Sequence, residues 1–293
     1  MRKINIWIGA IRPKTLPASI IPVIVGSSLA LSSGKFDTSI LWMTILCSLL
    51  IQIITNFFNE LFDFKKGADS HDRVGPPRAV TLGLISPKTM KWVTYSLVGI
   101  TFICGLYLVF KGGIVILIIG IISLLLAYAY TGGPFPIAYL GISEIFVFVF
   151  FGLVSVCGTY YLHTQDINIY VFIASIGPGL ISTNILGVNN IRDIETDKLV
   201  GKNTLAVKIG NIKAKYFYVI NNVLAFIVPV ILFLISKNVY VLITLIALPL
   251  SISLNKQIFD KSGKELNSVL SSTGLLLVAY GILIAIGFYF QRG

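Results

Sequence analysis

Seven of the chain's 12 carboxylates fall in two short stretches about half the chain apart. The first is Asn59-Glu60-Leu61-Phe62-Asp63, running on through Lys65, Lys66 and Gly67 to Asp69 and Asp72. The second is Asn189-Asn190-Ile191-Arg192-Asp193-Ile194-Glu195-Thr196-Asp197. Each stretch carries basic residues close by. Facing carboxylates repel unless cations neutralise them. Magnesium suits such a site, because it takes hard oxygen ligands and is bound through one or two carboxylates plus ligand phosphates. Arg12, Lys66, Arg73, Arg78, Arg192 and Lys202 supply positive charge for the remaining phosphate oxygens, the arginines bidentately. The pattern therefore points to a diphosphate held between metal ions and cationic side chains.

The elements around these residues are apolar. Hydrophobic residues make up 56% of the chain and charged residues 12%. The apolar residues come in runs long enough to cross a hydrocarbon core of about 30 Å as helices. Nine spans are predicted: Leu16–Leu31, Ile40–Asn59, Met90–Phe110, Gly113–Tyr130, Ile142–Leu162, Tyr170–Val188, Tyr216–Ile235, Val239–Leu254 and Val269–Phe290. Pro22 and Pro249 predict kinks in the first and eighth. The expected fold is all-α, a single intramembrane domain over residues 1–293 with nine transmembrane helices around a central cavity. No alternating ten-residue pattern of a β-barrel occurs.

Basic residues set the expected orientation. Nineteen of the 23 Lys and Arg lie on the side of the N-terminus and the even-numbered gaps. By the positive-inside rule that side is the cytoplasm, and both acidic stretches lie on it. The N-terminus is then cytoplasmic and the C-terminus outside, in the cell's inner membrane. The positive loops suit anionic lipid headgroups, and no nucleic-acid-binding module is present. Cys47, Cys104 and Cys157 sit singly in apolar spans and read as small packing residues. His71 and His163 are too isolated to suggest zinc. The stretch between the first basic residues is too short for a cleavable signal peptide.

Helical spacing groups the polar residues. Gln52, Asn56, Asn59 and Asp63 make one stripe on the second span, and such a stripe faces a cavity or another helix. Gly67 is expected to end that helix and let Asp69 return toward Asp63. Asn189, Asp193 and Asp197 recur every four residues, with Asn190 close to the same face. The placement of an acidic loop after both the second and sixth spans suggests two related halves. If those two helices pack together, the clusters face each other. A metal-bound diphosphate beside a greasy cavity suits ionisation of an allylic isoprenoid diphosphate. Tyr128, Tyr130, Phe135 and Tyr139 are candidates to stabilise the cation through their ring faces.

These residues resemble the intramembrane aromatic prenyltransferase superfamily, and within it the 1,4-dihydroxy-2-naphthoate polyprenyltransferases of menaquinone biosynthesis. The resemblance also rests on Arg12-Pro13-Lys14-Thr15-Leu16-Pro17-Ala18-Ser19 and on Lys66-Gly67-Ala68-Asp69 with Arg73-Val74-Gly75-Pro76-Pro77-Arg78. Phe150-Phe151-Gly152, Gly158-Thr159-Tyr160-Tyr161 and Gly201-Lys202-Asn203-Thr204-Leu205-Ala206-Val207 extend it over most of the chain. Glu60 departs from the pattern, since members often carry Asp there. The resemblance implies that Asp63, Asp69, Asp193 and Asp197 hold magnesium with help from Asn59. It implies that Lys202, Arg73 and Arg78 bind diphosphate, and the charge pattern adds Arg192 and Arg12 to them. Gln52, Asn56, Asn190, Tyr128 and Tyr139 would line the substrate cavity. The implied partners are a polyprenyl diphosphate and dihydroxynaphthoate, joined with loss of carbon dioxide to give demethylmenaquinone. A superfamily member using 4-hydroxybenzoate, homogentisate or haem is the nearest alternative. An ion-coupled transporter is a more distant one, because transporters place their carboxylates near the midplane.

Overall fold

The structure is a computed structural model that describes residues 3–68 and 74–291. Among the described residues it is helical, with no strand. The helices are α1 (Lys3–Ile11), α2 (Pro17–Ser32), α3 (Thr38–Lys65), α4 (Pro87–Ala129), α5 (Ser143–Phe148), α6 (Ser155–Thr164) and α7 (Ile169–Arg192). They continue with α8 (Ile194–Leu199), α9 (Leu205–Ile209), α10 (Asn211–Ser236), α11 (Leu248–Asp260) and α12 (Leu266–Phe290). Among the described residues, seven helical segments are long and apolar enough to cross a membrane. An eighth forms if the segment Ile4–Thr15 and α2, bent by 51°, count as one broken span. The protein is a multi-pass membrane protein.

The longest helix explains much of the difference from the predicted spans. Forty-three residues of straight helix would reach about 64 Å, twice the hydrocarbon thickness. The chain breaks at Gly113, whose φ of 67° and ψ of −155° belong to a region open essentially to glycine alone. The two arms then fold back on each other. Tyr95 from the first arm and Tyr128 from the second both set their edges against the Phe58 ring, with centroids 5.7 and 5.5 Å away. On a straight helix these tyrosines would lie about 50 Å apart. The predicted spans Met90–Phe110 and Gly113–Tyr130 are therefore the arms of one hairpin-like element.

Other boundaries differ for local reasons. Pro22 lies inside α2, whereas Pro249 sits in the first turn of α11. A 3₁₀ segment, Val239–Ala247, precedes α11, so helix type changes there in place of a simple kink. The span predicted as Ile142–Leu162 contains a π-helical turn at Val149–Val154 between α5 and α6. In that turn Gly152 lies against α7, where an added Cβ would meet Gly179 Cα at 2.8 Å. Helices α1, α8 and α9 are short elements that the apolar pattern did not signal.

Helix α2 packs on α3, α6, α7 and α12, and α10 packs on α7. The main apolar core lies among α2, α7, α10 and α12, with Val25, Ile181, Val228 and Leu276 fully buried. Polar side chains inside it pair with each other, as they must where water is absent. Asn184 Nδ2 donates to Tyr218 O and Asn222 Oδ1, both at 2.9 Å, and Asn222 Nδ2 donates to Asn255 Oδ1 at 2.7 Å. This network fixes α7 against α10 and α11. Helices α3 and α7 do not form a close pair. Both contribute residues to the lining of one cavity, and α2 packs on each of them.

At one end of the molecule three loops are tied together. Lys111 pairs with Asp37 at 3.1 Å, Lys35 donates to Thr164 O at 3.4 Å and Gln165 donates to Lys111 O at 2.9 Å. The acidic stretches lie at the opposite ends of α3 and α7.

Candidate active site

The cavity between α3 and α7 has a volume of about 330 Å³. Gln52, Asn56 and Asn59 line it from α3, Ser182 and Asn189 from α7, and Arg12 from the α1–α2 corner. Its far end is apolar, with Leu108, Ile116 and Leu162 in the wall. Exposed Phe102, Leu106 and Ile121 on the α4 arms carry the lining out toward the lipid-facing surface.

The polar stripe of α3 is anchored by α1 and by the turn Pro13–Thr15 that joins α1 to α2. Asn56 Nδ2 donates to Ile11 O at 2.8 Å, and Gln52 Nε2 donates to Thr15 Oγ1 at 3.3 Å. One turn further, Asn59 Oδ1 accepts from Thr131 Oγ1 at 2.9 Å. Gly67, at φ 66°, ends α3 as expected, and Ala68 N donates back to Asp63 O at 2.9 Å. Asp69 and Arg73, predicted as metal and diphosphate ligands, lie outside the described residues, as does Asp72.

Asp63 is almost fully buried at 4% exposure. Its Oδ1 accepts from the Tyr139 hydroxyl at 3.1 Å, and Arg78 Nη2 lies 3.6 Å from its Oδ2. Tyr139 in turn sits between two lysines, with Lys66 Nζ 4.4 Å and Lys202 Nζ 5.7 Å from its ring centroid. Lys202 Nζ is 3.7 Å from Asp197 Oδ1. Asp63 and Asp197, from the two acidic stretches, are thus joined through one tyrosine and two lysines. Burial pushes the Tyr139 hydroxyl above the usual tyrosine range, and the neighbouring Asp63 charge adds to it. Burial pulls the Lys66 amine below the usual lysine range, opposed by Asp63 and reinforced by Lys202.

Helix α7 ends at Arg192, and Asp193 turns the chain into α8. Asp197 N still donates to Asp193 O at 2.8 Å, which keeps the two carboxylates one turn apart. Arg192 grips Asp193 with two nitrogens, at 2.8 and 2.7 Å, and gives its third to Asn267 Oδ1 at 2.7 Å. Arg192 is therefore directed at Asp193 and Asn267. Among the described residues no three His, Cys, Asp or Glu side chains converge as a ready metal site. The available donors are still all hard oxygens: the Asp63, Asp193 and Asp197 carboxylates and the Asn59 amide. Hard oxygen donors of this kind suit a divalent ion.

Three predicted cavity residues, Tyr128, Asn190 and Tyr139, are not in its wall. Tyr128 packs its ring on Phe58 and Phe62, with centroids 5.5 and 5.2 Å away, because the α4 hairpin turns it toward α3's outer face. Asn190 donates to Glu144 Oε1 at 2.9 Å and ties α7 to α5, leaving Asn189 on the cavity side. Tyr139 lies among the charged groups, outside the apolar wall. Tyr130 lines the cavity, as does Ile137. Sequence reasoning passed over Thr131 and Glu144. Each is a lone polar residue near apolar runs, a signal that an intramembrane acid such as Glu144 carries by default.

Comparison with known proteins gives concordant results. Residues 19–271 match the model of the UbiA prenyltransferase family. The 1,4-dihydroxy-2-naphthoate octaprenyltransferase of Haemophilus influenzae is 36% identical over 232 residues, 74% of this chain and 73% of that relative. The enzyme of the same name from Mycobacterium leprae is 32% identical over 284 residues, 95% of this chain and 94% of that relative. A solved structure of a UbiA homolog from Archaeoglobus fulgidus bound to DMAPP and Mg2+ has a TM-score of 0.66 at 14% identity. It matches 96% of this chain and 99% of that one, which speaks to the fold.

Proposed function

This chain belongs to the UbiA prenyltransferase family, and from that membership we propose that it transfers a polyprenyl group from polyprenyl diphosphate to 1,4-dihydroxy-2-naphthoate. Carbon dioxide leaves, and the product is demethylmenaquinone in its quinol form. The names of the relatives support the acceptor. The observation that carries the site is the link from Asp63 through Tyr139, Lys66 and Lys202 to Asp197, next to the polar end of a greasy cavity.

Asp63, Asp193 and Asp197, with Asn59 and with Asp69 from outside the described residues, are the residues to hold magnesium. When bound, magnesium neutralises the diphosphate and favours its departure. Arg78, Lys66 and Lys202, together with Arg12 and Arg73, hold phosphate oxygens and stabilise the charge that builds on the leaving group. The allylic C–O bond breaks and diphosphate leaves with the electron pair. Apolar walls keep water from the cation. The ring carbon bearing the carboxylate forms the new C–C bond. Its bond to the carboxylate then breaks, returning the electron pair to the ring. The isoprenoid tail lies along the apolar end of the cavity and passes between the α4 arms toward lipid.

The same reading gives nine crossings: the bent first pair, α3, the two arms of α4, α5 with α6, α7, α10, the segment Val239–Asp260 and α12. The clustering of the Lys35, Lys111 and Gln165 loops away from the acids supports a cytoplasmic N-terminus, an outside C-terminus and a site facing the cytoplasm of the inner membrane. Purified protein incubated with a polyprenyl diphosphate and a panel of aromatic acceptors, with product identified by mass, tests the function. A prenylated, decarboxylated naphthoquinol is expected; product from 4-hydroxybenzoate or homogentisate alone would refute the acceptor. Reporter fusions at the two termini test the topology.

A further inference from the structure

Glu60 lies one turn before Asp63 on α3, is 1% exposed and does not line the cavity. Its Oε1 accepts a hydrogen bond from Val80 N at 2.8 Å. Val80 belongs to a compact turn in the loop between α3 and α4. In that turn Leu82 N donates to Arg78 O at 3.0 Å, Gly83 N to Val80 O at 3.0 Å and Leu84 N to Ala79 O at 2.9 Å. The first N–H groups of such a turn lack partners within it, and a carboxylate is well suited to take one. Ala79, Val80 and Ile85 are buried against Phe57, Leu61 and Met90, so the turn is seated on the part of α3 that flanks Glu60.

Two carboxylates three residues apart on α3 therefore hold two points of one loop. Glu60 holds the Val80 amide, and Asp63 faces the Arg78 side chain, two residues earlier. Residues three apart on a helix share a face, so the grip on Val80 sets where Arg78 stands along α3. Arg78 is 6% exposed. A long cationic side chain buried at a fixed place loses less freedom on meeting a phosphate than one on a loose loop.

We propose that Glu60 is a positioning residue for diphosphate capture: by fixing the Val80 amide it holds the α3–α4 loop where Arg78 faces Asp63 and the incoming phosphates. This rests on the reading of Arg78 as a diphosphate ligand. Glu60 acts on Arg78 through the loop backbone, by the oxygen that it offers to Val80 N. A glutamine supplies that oxygen and an alanine does not.

The test is steady-state kinetics of the full-length purified enzyme, varying polyprenyl diphosphate and dihydroxynaphthoate separately. Glu60→Ala is expected to raise KM for the diphosphate by about tenfold or more, the range for a lost hydrogen bond to a charged group, with acceptor KM within about twofold. Glu60→Gln is expected to recover most of the affinity. In an Arg78→Ala background, Glu60→Ala is expected to add less than about twofold, because the residue it positions is already gone. An unchanged diphosphate KM in Glu60→Ala overturns the proposal. So does a Glu60→Gln enzyme as weak as Glu60→Ala, or a double variant whose losses multiply. If Arg78→Ala alone leaves the diphosphate KM unchanged, the assignment of Arg78 fails as well. A potent Arg78→Ala beside a silent Glu60→Ala removes only the role of Glu60.

Discussion

The Tyr139 hydroxyl donates to Asp63 Oδ1 at 3.1 Å, across from the loop after α4 to the end of α3. That contact, with Lys66 and Lys202 over the same ring, gathers residues from three parts of the chain at the polar end of the cavity. Asp63 is one turn beyond Asn59, which lines the cavity, so the charge cluster and the apolar chamber are adjacent. A ligand with a charged head and a greasy tail is matched on both counts.

Asp63→Ala and Asp193→Ala should each reduce prenyl transfer by at least about a hundredfold, the scale for losing a main electrostatic contributor. Neither should prevent membrane insertion, since both lie at helix ends away from the main core. Activity assays on membranes, with immunoblots of the membrane fraction, give both readings. Full turnover in either variant would remove that residue from the site.

Magnesium dependence follows from the oxygen-only donor set. Chelation should stop product formation, and added magnesium should restore it. The same titration followed by protection of the α3–α4 loop from protease, with a non-reactive diphosphate analogue present, gives a readout separate from turnover. Turnover that persists in excess chelator would rule out metal-assisted ionisation.

Lys66 should make diphosphate binding sensitive to alkaline pH. Burial, partly opposed by Asp63, disfavours its charged form, so it gives up its proton below the usual lysine range. Raising pH through that lowered value removes a positive charge facing the phosphates, and KM for the diphosphate should climb. Lys66→Arg keeps its charge throughout and should flatten the climb. Identical pH profiles for the two enzymes would show that Lys66 does not meet the diphosphate.

Gly113→Ala should destabilise the α4 hairpin. No atom lies within 4 Å of the added Cβ, so the penalty comes from the positive φ alone, about 1–3 kcal/mol. Thermal unfolding in detergent should show a lower midpoint. Gly120→Ala is a control, because its added Cβ also meets open space and its φ is ordinary helix. Equal midpoints for the two variants would mean that the reversal at Gly113 carries no strain.

The sequence by itself determined the membrane class, the run of long apolar helices and the two acidic stretches. Apolar runs and the sidedness of Lys and Arg are properties of the chain that the bilayer reads directly. Helical periodicity was enough to put Gln52, Asn56 and Asn59 on one stripe, because they lie within a single unbroken helix. Tertiary structure decided the rest. Periodicity near Asn189 and Asn190 did not say which amide faces the cavity, since that depends on Glu144 arriving from α5. Sequence position, at the gap after the fourth span, placed Tyr128 beside the substrate, whereas the reversal at Gly113 turns that ring onto Phe58. It gave Glu60 no task, since its partner is a backbone amide 20 residues on, brought there by the packing of Val80 against α3. Residue types and spacings report what a segment can do within about a turn of helix. Which groups meet across helices is fixed only when the helices pack.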